Sequence, residues 1–237
     1  VWDLCHRDHP EFPEVGYATE FEAREWLYRQ SLTRAVLVVT DSEQLSDRLA
    51  RRYGLDVERT LGVPFGPSPL LGTTASLDTE QVLRHYCLEP GFFFYPAQFW
   101  AHKNHVRILQ AAAALRERGV RVRLVFAGGD KGNLSHVQAL AAELGMKGQV
   151  HFLGFVPSEH MRGLYAGCVA VVMPTYFGPT NLPPLEAWAT GKPLIYSSEC
   201  AQQAGDAALL VDPDDASAIA AAMQCVLDAD PASVDAW

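Results

Sequence analysis

An α/β protein built on a doubly wound parallel sheet is what this sequence predicts, and three observations carry the prediction. Short apolar runs alternate with amphipathic stretches along the chain, the pattern of parallel strands crossed by helices. The runs are rich in Val, Leu, Phe and Ala and do not alternate with polar residues, as expected of strands covered on both faces. With 237 residues, 49% of them hydrophobic, the chain is long enough for a sizeable core and one or two domains.

The first elements are a helix from about Thr19 to Arg34, with Phe21, Trp26 and Leu27 among its apolar positions, and a strand Ala35 to Val39. Asp41-Ser42 then caps a helix reading SEQLSDRLARRYG, with Leu45 and Leu49 four apart and Gly54 as its stop. After Leu61-Gly62-Val63, the stretch PFGPSPLLGTT reads as a linker or crossover. A more regular series begins near Leu77. It runs helix 80–86, strand 92–95, helix 105–118, strand 121–127, helix 134–144, strand 150–153 and helix 158–165. Strand 170–173, helix 183–189, strand 193–196, strand 208–211 and helix 216–227 complete it. Two domains follow, 1–68 and 69–237. The first holds only about two strands and two helices, too few to close a two-sided sheet unaided. The expectation is that residues are missing upstream of Val1, or that this piece docks on something else.

Nineteen Lys and Arg against 28 Asp and Glu leave a net charge of −9, the wrong sign for a nucleic-acid protein or an anionic membrane surface. Cys5, Cys87, Cys168, Cys200 and Cys225 are odd in number and widely spaced, with no C-x-x-C pair. Neither a zinc site nor a disulfide framework is readable, and reduced, mostly buried cytosolic thiols are expected. No apolar run reaches the roughly 18 residues needed to cross a bilayer.

Ligands of open parallel sheets lie at the C-terminal strand ends. The loop after the 92–95 strand, Pro96 to Asn104, has no glycine and is not a dinucleotide-binding turn. Lys103 stands there at a helix start, where free N–H groups favour a phosphate. Thr190-Gly191-Lys192-Pro193 fails as a P-loop, because Glu186 stands where the first glycine belongs. Gly128-Gly129 permits close backbone approach after the next strand, and Gly154-Phe155-Val156-Pro157 could meet a base edge. The loop from Thr175 to Pro184 runs into a helix opened by prolines, so N–H groups around Asn181 and Leu182 should form an anion cradle, with Glu186 one turn further on.

In order and spacing these loops resemble the nucleotide-sugar domain of retaining glycosyltransferases of the GT-B fold, family 4, the glycosyltransferase group 1 type. The likeness runs from about Phe92 to Asp214 and is carried by the Lys103 loop, FAGGD, VHFLGFVPSEHMRGLYAGC, PTYFGPTNLPPLEAWATGKPL and AGDAALLVDPDD. WDLCHRDHPEFP and VVTDS resemble the end of that family's acceptor domain, so the chain reads as a fragment lacking most of its N-terminal domain. The resemblance implies that Lys103 contacts the donor diphosphate and stabilises the departing nucleotide. Gln98 replaces the arginine usually found five residues earlier. Glu186, the second Glu of an E-x7-E signature, would bind the ribose hydroxyls. The first Glu falls at Gly178, or at Tyr176 with a two-residue insertion, and neither is a carboxylate; Thr180 and Asn181 are the candidate replacements. Asn104 is a further donor-binding candidate. Gly128 and Gly129 would leave room for the donor, Gly154, Phe155 and Val156 would meet the nucleobase, and N–H groups of Asn181 and Leu182 would hold sugar or diphosphate. His6, with Asp3 and His9 nearby, lies in a loop that would face the acceptor.

By this resemblance the protein transfers a sugar from a nucleoside diphosphate sugar to a hydroxyl of a glycan or lipid-linked acceptor, with retention and without metal or cofactor, in surface polysaccharide or glycan assembly of a bacterial type. The expected location is cytoplasmic, peripheral at the inner membrane face only through regions outside this chain. Two alternatives stand beside it: a nucleotide-sugar epimerase of the same fold, and a binding module that has lost catalysis. The fragment alone is expected to be inactive.

Overall fold

The computed structural model describes residues 1–16, 20–69, 78–178 and 180–230. The expected helix start at Thr19, the series start at Leu77, all of LLGTT, Pro179 and the terminal Ala236-Trp237 lie outside the described residues. Two compact units divide the chain: Val1–Gly66 with Phe177–Asn181, and Pro67–Tyr176 with Leu182–Trp237.

In the first unit, α1 (Cys5–Asp8) and α2 (Pro13–Gly16) are short helices within a segment read from sequence as loop. They precede α3 (Glu20–Ser31), β1 (Val38–Thr40), α4 (Glu43–Tyr53) and β2 (Thr60–Gly62). The α4 caps are those the sequence predicts: the Ser42 hydroxyl accepts from Leu45 N at 3.2 Å, and Gly54 takes φ 66°. Strands β1 and β2 are parallel, with Val39 opposite Leu61. Gly62 is fixed by close approach, since a Cβ there would lie 2.6 Å from Glu43 N. Leu4, Leu32, Val38, Leu45 and Leu49 form the core, while Val39 and Leu61 face outward and are exposed.

Helix α3 departs from the expected apolar stripe: Trp26 and Leu27 are exposed, and Glu25 is buried. Glu25 can point inward because its neighbours satisfy it. Its carboxylate accepts from Arg7 through both oxygens, from the Tyr53 hydroxyl at 2.6 Å, from Arg29 at 3.2 Å and from His6 Nε2 at 3.1 Å. An inward carboxylate with this many donors is tolerated where an unpaired one would not be.

The second unit holds a six-stranded, all-parallel sheet in the order β5-β4-β3-β6-β7-β8. Its elements are α5 (Thr79–His85), β3 (Phe92–Pro96), α6 (His105–Glu117), β4 (Leu124–Ala127), α7 (Leu134–Glu143), β5 (Val150–Phe152) and α8 (Ser158–Gly167). After these come β6 (Cys168–Met173), α9 (Leu182–Ala189), β7 (Leu194–Ser197), α10 (Ala201–Ala204), β8 (Leu209–Val211) and α11 (Ala216–Asp228). Every strand and helix expected after residue 77 is present; β4 starts at Leu124 rather than Arg121, and α10 was not foreseen. The centres of β3, β4, β6 and β7 are fully buried, as continuous apolar strands require. Helix α6 packs on α11 and α5 on α8, where a Cβ at Gly163 would lie 2.7 Å from the Val82 side chain. Cys5, Cys168 and Cys200 are buried and Cys87 and Cys225 exposed, and none of the five is in a disulfide. Among the described residues, no helix is long and apolar enough to cross a membrane.

Strand order reverses between β3 and β6: the chain runs outward from β3 through β4 to β5, then returns to β6 on the other side. The loops after β3 and β6 therefore diverge from a shared edge, the place where open α/β sheets bind ligands.

The buried cluster of the first unit makes stability pH-dependent. Hydrogen bonds from Arg7, with those from Tyr53 and His6, hold the Glu25 carboxyl well below the usual carboxylate range against the opposing effect of burial. Burial lowers the His6 pKa from 6.5 and outweighs its hydrogen bond to Glu25. Both groups bind more protons unfolded than folded, so their contribution is complete above 6.5 and is lost as pH falls. Thermal melts from pH 7.5 to 3.5 should show a first decline as unfolded His6 protonates. A second should begin below about 4.5 as unfolded Glu25 does. Glu25→Gln should be less stable at pH 7 and should show a shallower second decline, of which Asp130, also held below its usual range by backbone N–H groups, keeps a share.

Candidate functional site

The loops that follow β3, β4, β5 and β6 carry the candidate site residues, and Phe177–Asn181 of the last belong to the first unit. The first, after β3, is knitted to its neighbours through its main chain. The Tyr95 hydroxyl donates to Lys103 O at 2.9 Å, and Tyr176 N–H donates to His102 O at 2.9 Å. Lys103 does not begin the helix, as the sequence suggested. It ends a single 3₁₀ turn, Ala101–Lys103, and Asn104 in the left-handed region (φ 58°) separates it from α6. The side chain of Lys103 thus leaves from a tight turn just before a helix N-terminus, which keeps the positive local field the sequence argument invoked. Gln98 is exposed, and its Oε1 accepts from Trp100 Nε1 at 3.0 Å.

Asn104 is buried and turned inward. Its Nδ2 donates to Pro174 O at 2.9 Å and to Pro213 O at 2.8 Å, so its amide N–H groups brace the loops after β6 and β8 and are not offered to a ligand. Asn also suits its positive φ better than most residues.

The two glycines after β4 differ. A Cβ at Gly128 would lie 2.5 Å from the Ala97 carbonyl carbon and 2.8 Å from Gln98 N, so the room it leaves is filled by the first loop. Gly129 faces open space and alone of the pair leaves room for a ligand. After β5, Gly154 takes φ 67° with nothing near its missing Cβ, Phe155 is 83% exposed, and Val156 is buried in the core. Of the three nucleobase candidates, Phe155 presents a ring and Val156 does not present its side chain.

The loop after β6 explains the absent carboxylate. Gly178 takes φ 149°, and a Cβ there would lie 2.5 Å from Asn181 Nδ2, which donates to Gly178 O at 3.2 Å. A glutamate at this position would be strained and would displace Asn181. Gly178, Thr180 and Asn181 group with the first unit, and Leu182 and Glu186 with the second. In α9, Glu186 Oε2 accepts from the hydroxyl of Tyr165, a fully buried residue of α8, at 2.6 Å. Burial, reinforced by that contact, raises the Tyr165 pKa well above 10, so the phenol stays a donor. It fixes one carboxylate oxygen of Glu186 and leaves the other for a ligand. Lys192 is a structural tie, donating to Ala166 O and Cys168 O at 2.9 Å each, which accounts for its failure as a phosphate lysine.

His6 corrects the expectation of an open, acceptor-facing loop. It lies in α1, its side chain is wholly buried, and Phe21 and Tyr28 pack on its ring. His9 is the more exposed histidine of that segment, stacked on Phe177 at 4.7 Å within the same unit.

Tyr165 and Asp214 were missed by sequence reasoning. Tyr165 sits in an apolar helix stretch that reads as core, and nothing in its spacing points to Glu186. Asp214, whose Oδ1 accepts from the Tyr176 hydroxyl at 2.7 Å, reads as one acid in the surface run DPDD. Among the described residues, no group of three His, Cys, Asp or Glu could hold a metal ion.

The family model for "Glycosyl transferases group 1" matches residues 91–229, from the start of β3 to the end of α11. The chain belongs to this family. Its curated relatives include the O-antigen chain mannosyltransferase B of Escherichia coli, 29% identical over 214 residues that cover 88% of this chain and 56% of the relative. A D-inositol 3-phosphate glycosyltransferase of Corynebacterium diphtheriae is 26% identical over 231 residues, 92% of this chain and 54% of the relative. The chain therefore spans about half the length of the curated relatives it matches. Among solved structures, the sucrose-phosphate synthase of Thermosynechococcus elongatus aligns with a TM-score of 0.74 and 25% identity, covering 90% of this chain and 54% of that one. The Anabaena protein HepE, in complex with UDP and glucose, aligns with a TM-score of 0.72 and 19% identity over 89% of this chain and 58% of that one, a likeness of fold. The α/β fold with its parallel sheet is that of GT-B glycosyltransferases.

Asn104→Gly keeps the left-handed backbone and orphans two buried carbonyls. It should lower the unfolding free energy by about 2–6 kcal/mol in urea denaturation, the cost of two unsatisfied groups, and Asn104→Ala should lower it further through backbone strain.

Proposed function

We propose that this chain is the donor-binding part of a retaining glycosyltransferase that moves a sugar from a nucleoside diphosphate sugar to a hydroxyl of a glycan or lipid-linked acceptor. In that reaction the bond from the anomeric carbon to the diphosphate oxygen breaks, and a bond from the acceptor oxygen forms on the same face of the sugar. The acceptor proton leaves and the nucleoside diphosphate departs with the bonding electrons. The observation that carries the reading is that the Lys103 turn follows β3 and the Tyr165-held Glu186 lies in the helix after the neighbouring β6, both in the unit that matches the family. Lys103 supplies positive charge to the leaving diphosphate, as electrostatic stabilisation of a developing anion requires. The free oxygen of Glu186 accepts from ribose hydroxyls, and the N–H of Leu182, ahead of Pro183 and Pro184, which carry none, offers a further donor.

Positive side chains and helix N–H groups neutralise the diphosphate in this scheme without a divalent ion or a cofactor. Surface polysaccharide assembly is supported by the O-antigen chain mannosyltransferase among the relatives, and a cytoplasmic location belongs to the same proposal. A second reading, a donor-binding module without turnover, is favoured by Gly178, which leaves no carboxylate at the sugar-side position.

Calorimetric titration with UDP, GDP, dTDP and ADP should show binding of at least one; binding of none would sink the proposal. Lys103→Ala should weaken the bound diphosphate roughly 10- to 100-fold, the size of a charge-assisted hydrogen bond, while sparing the nucleoside. Equal loss for both would refute the role given to Lys103. Turnover by the full-length protein separates the two readings: transfer supports the enzyme, and donor binding without transfer supports the module.

A further inference from the structure

We propose that Phe177–Asn181 is a strap by which the first unit holds the start of α9, so that the order of this helix's first turn depends on the fold of a unit to which the helix does not belong. Tyr176, just before the strap, and Leu182, just after it, group with the second unit, while the residues between them group with the first. The strap is defined by packing alone and is independent of what the protein binds.

Two kinds of contact fasten the strap to the first unit. Phe177 is buried, its ring stacked on His9 at 4.7 Å and 18° and edge-on to Phe12 at 5.4 Å. Such ring pairs contribute beyond the apolar area they bury. Further along the strap, the Thr180 hydroxyl donates to the carboxylate of Asp41. Asp41 follows the last residue of β1 and is 4% exposed, with the Ser42 hydroxyl 3.4 Å from the same carboxylate. Burial pushes the Asp41 pKa up and the bond from Thr180 opposes that shift, so lifting the strap would leave a buried carboxylate short of a donor.

To the second unit the strap is joined by the chain itself. Tyr176 fixes the entry, its N–H donating to His102 O at 2.9 Å and its hydroxyl to Asp214 Oδ1 at 2.7 Å. At the exit, Asn181 Nδ2 donates to Gly178 O at 3.2 Å, and Leu182 opens α9 directly. Gly178, at φ 149°, permits the turn between them, and the Asn181 side chain fills the place of its missing Cβ. Helix α9 has only 8 residues, below the length at which a helix persists without tertiary support, so its start takes its order from what precedes it. The strap thus gives the ligand edge a conformational input from residues outside it.

Hydrogen–deuterium exchange of the whole 237-residue chain, read by mass spectrometry, tests the strap, because segments that open together exchange together. Glu25→Gln weakens the first unit through a cluster made with Arg7, Arg29, Tyr53 and His6, none of them a strap residue. In that variant the amides of residues 176–186 should exchange about tenfold faster, in step with α4, while those of β3 and β4 keep their rates. Thr180→Val removes the bond to Asp41 and keeps the side chain's shape. It should speed residues 176–186 severalfold and leave β3 and β4 unchanged. His9→Ala should do the same through the lost ring stack. Failure of residues 176–186 to follow α4 in Glu25→Gln, or unchanged exchange there in both Thr180→Val and His9→Ala, would overturn the proposal. Equal acceleration across the whole second unit would overturn it too, since it would mark a general loss of stability and not a strap.

Discussion

One buried amide holds the larger unit's ligand edge in shape. The Nδ2 of Asn104 bonds two carbonyls, Pro174 O after β6 and Pro213 O after β8, while its own backbone sits at φ 58° between the Lys103 turn and α6. Three loops that leave the sheet at different strands are thereby locked to one side chain. Proteins place such residues where a loop must keep its conformation without regular secondary structure, because a buried carbonyl without a donor costs more than a typical hydrogen bond returns. The positions of Lys103, of Tyr176 and of the chain entering α11 all depend on it.

Around that fixed edge, charge is arranged by hydrogen bonds between side chains from separate elements. Tyr165 holds Glu186 and Tyr176 holds Asp214. Each pairs a neutral phenol donor with a carboxylate, so the phenol orients the carboxylate without itself neutralising it. The smaller unit does the opposite. There Glu25 collects Arg7, Arg29, Tyr53 and His6 around itself and is neutralised by them, a structural ion cluster that closes its core. One set of contacts leaves functional atoms available and the other consumes them.

Most of the fold was legible because the apolar runs of the second unit are long, unalternating and separated by capped helices, so local pattern and tertiary environment agree. Residues 105–117, 134–143 and 216–228 form helices within a residue or two of where periodicity and caps put them. Legibility failed where a side chain's role depends on a distant partner. Glu25 lies on the buried face of α3 only because Arg7 and Tyr53 come from elsewhere. That Lys103, Glu186 and Gly129 follow the C-terminal ends of strands was readable from the order of the apolar runs, while the 3₁₀ turn that holds Lys103 was not. Gly128 looked identical to Gly129 in sequence; only the approach of Ala97 separates a packing glycine from a vacant one. His6 looked like a loop residue because a four-residue helix has no periodicity to detect.

The central claim is that the C-terminal edge of the six-stranded sheet binds a nucleoside diphosphate sugar at the Lys103 turn and the start of α9. A crystal structure of this chain with a bound nucleoside diphosphate tests it most directly. The account predicts diphosphate density within hydrogen-bond distance of Lys103 Nζ, with ribose against Glu186 and the base beside Phe155. Well-ordered nucleotide lying away from Lys103 and Glu186 would contradict it.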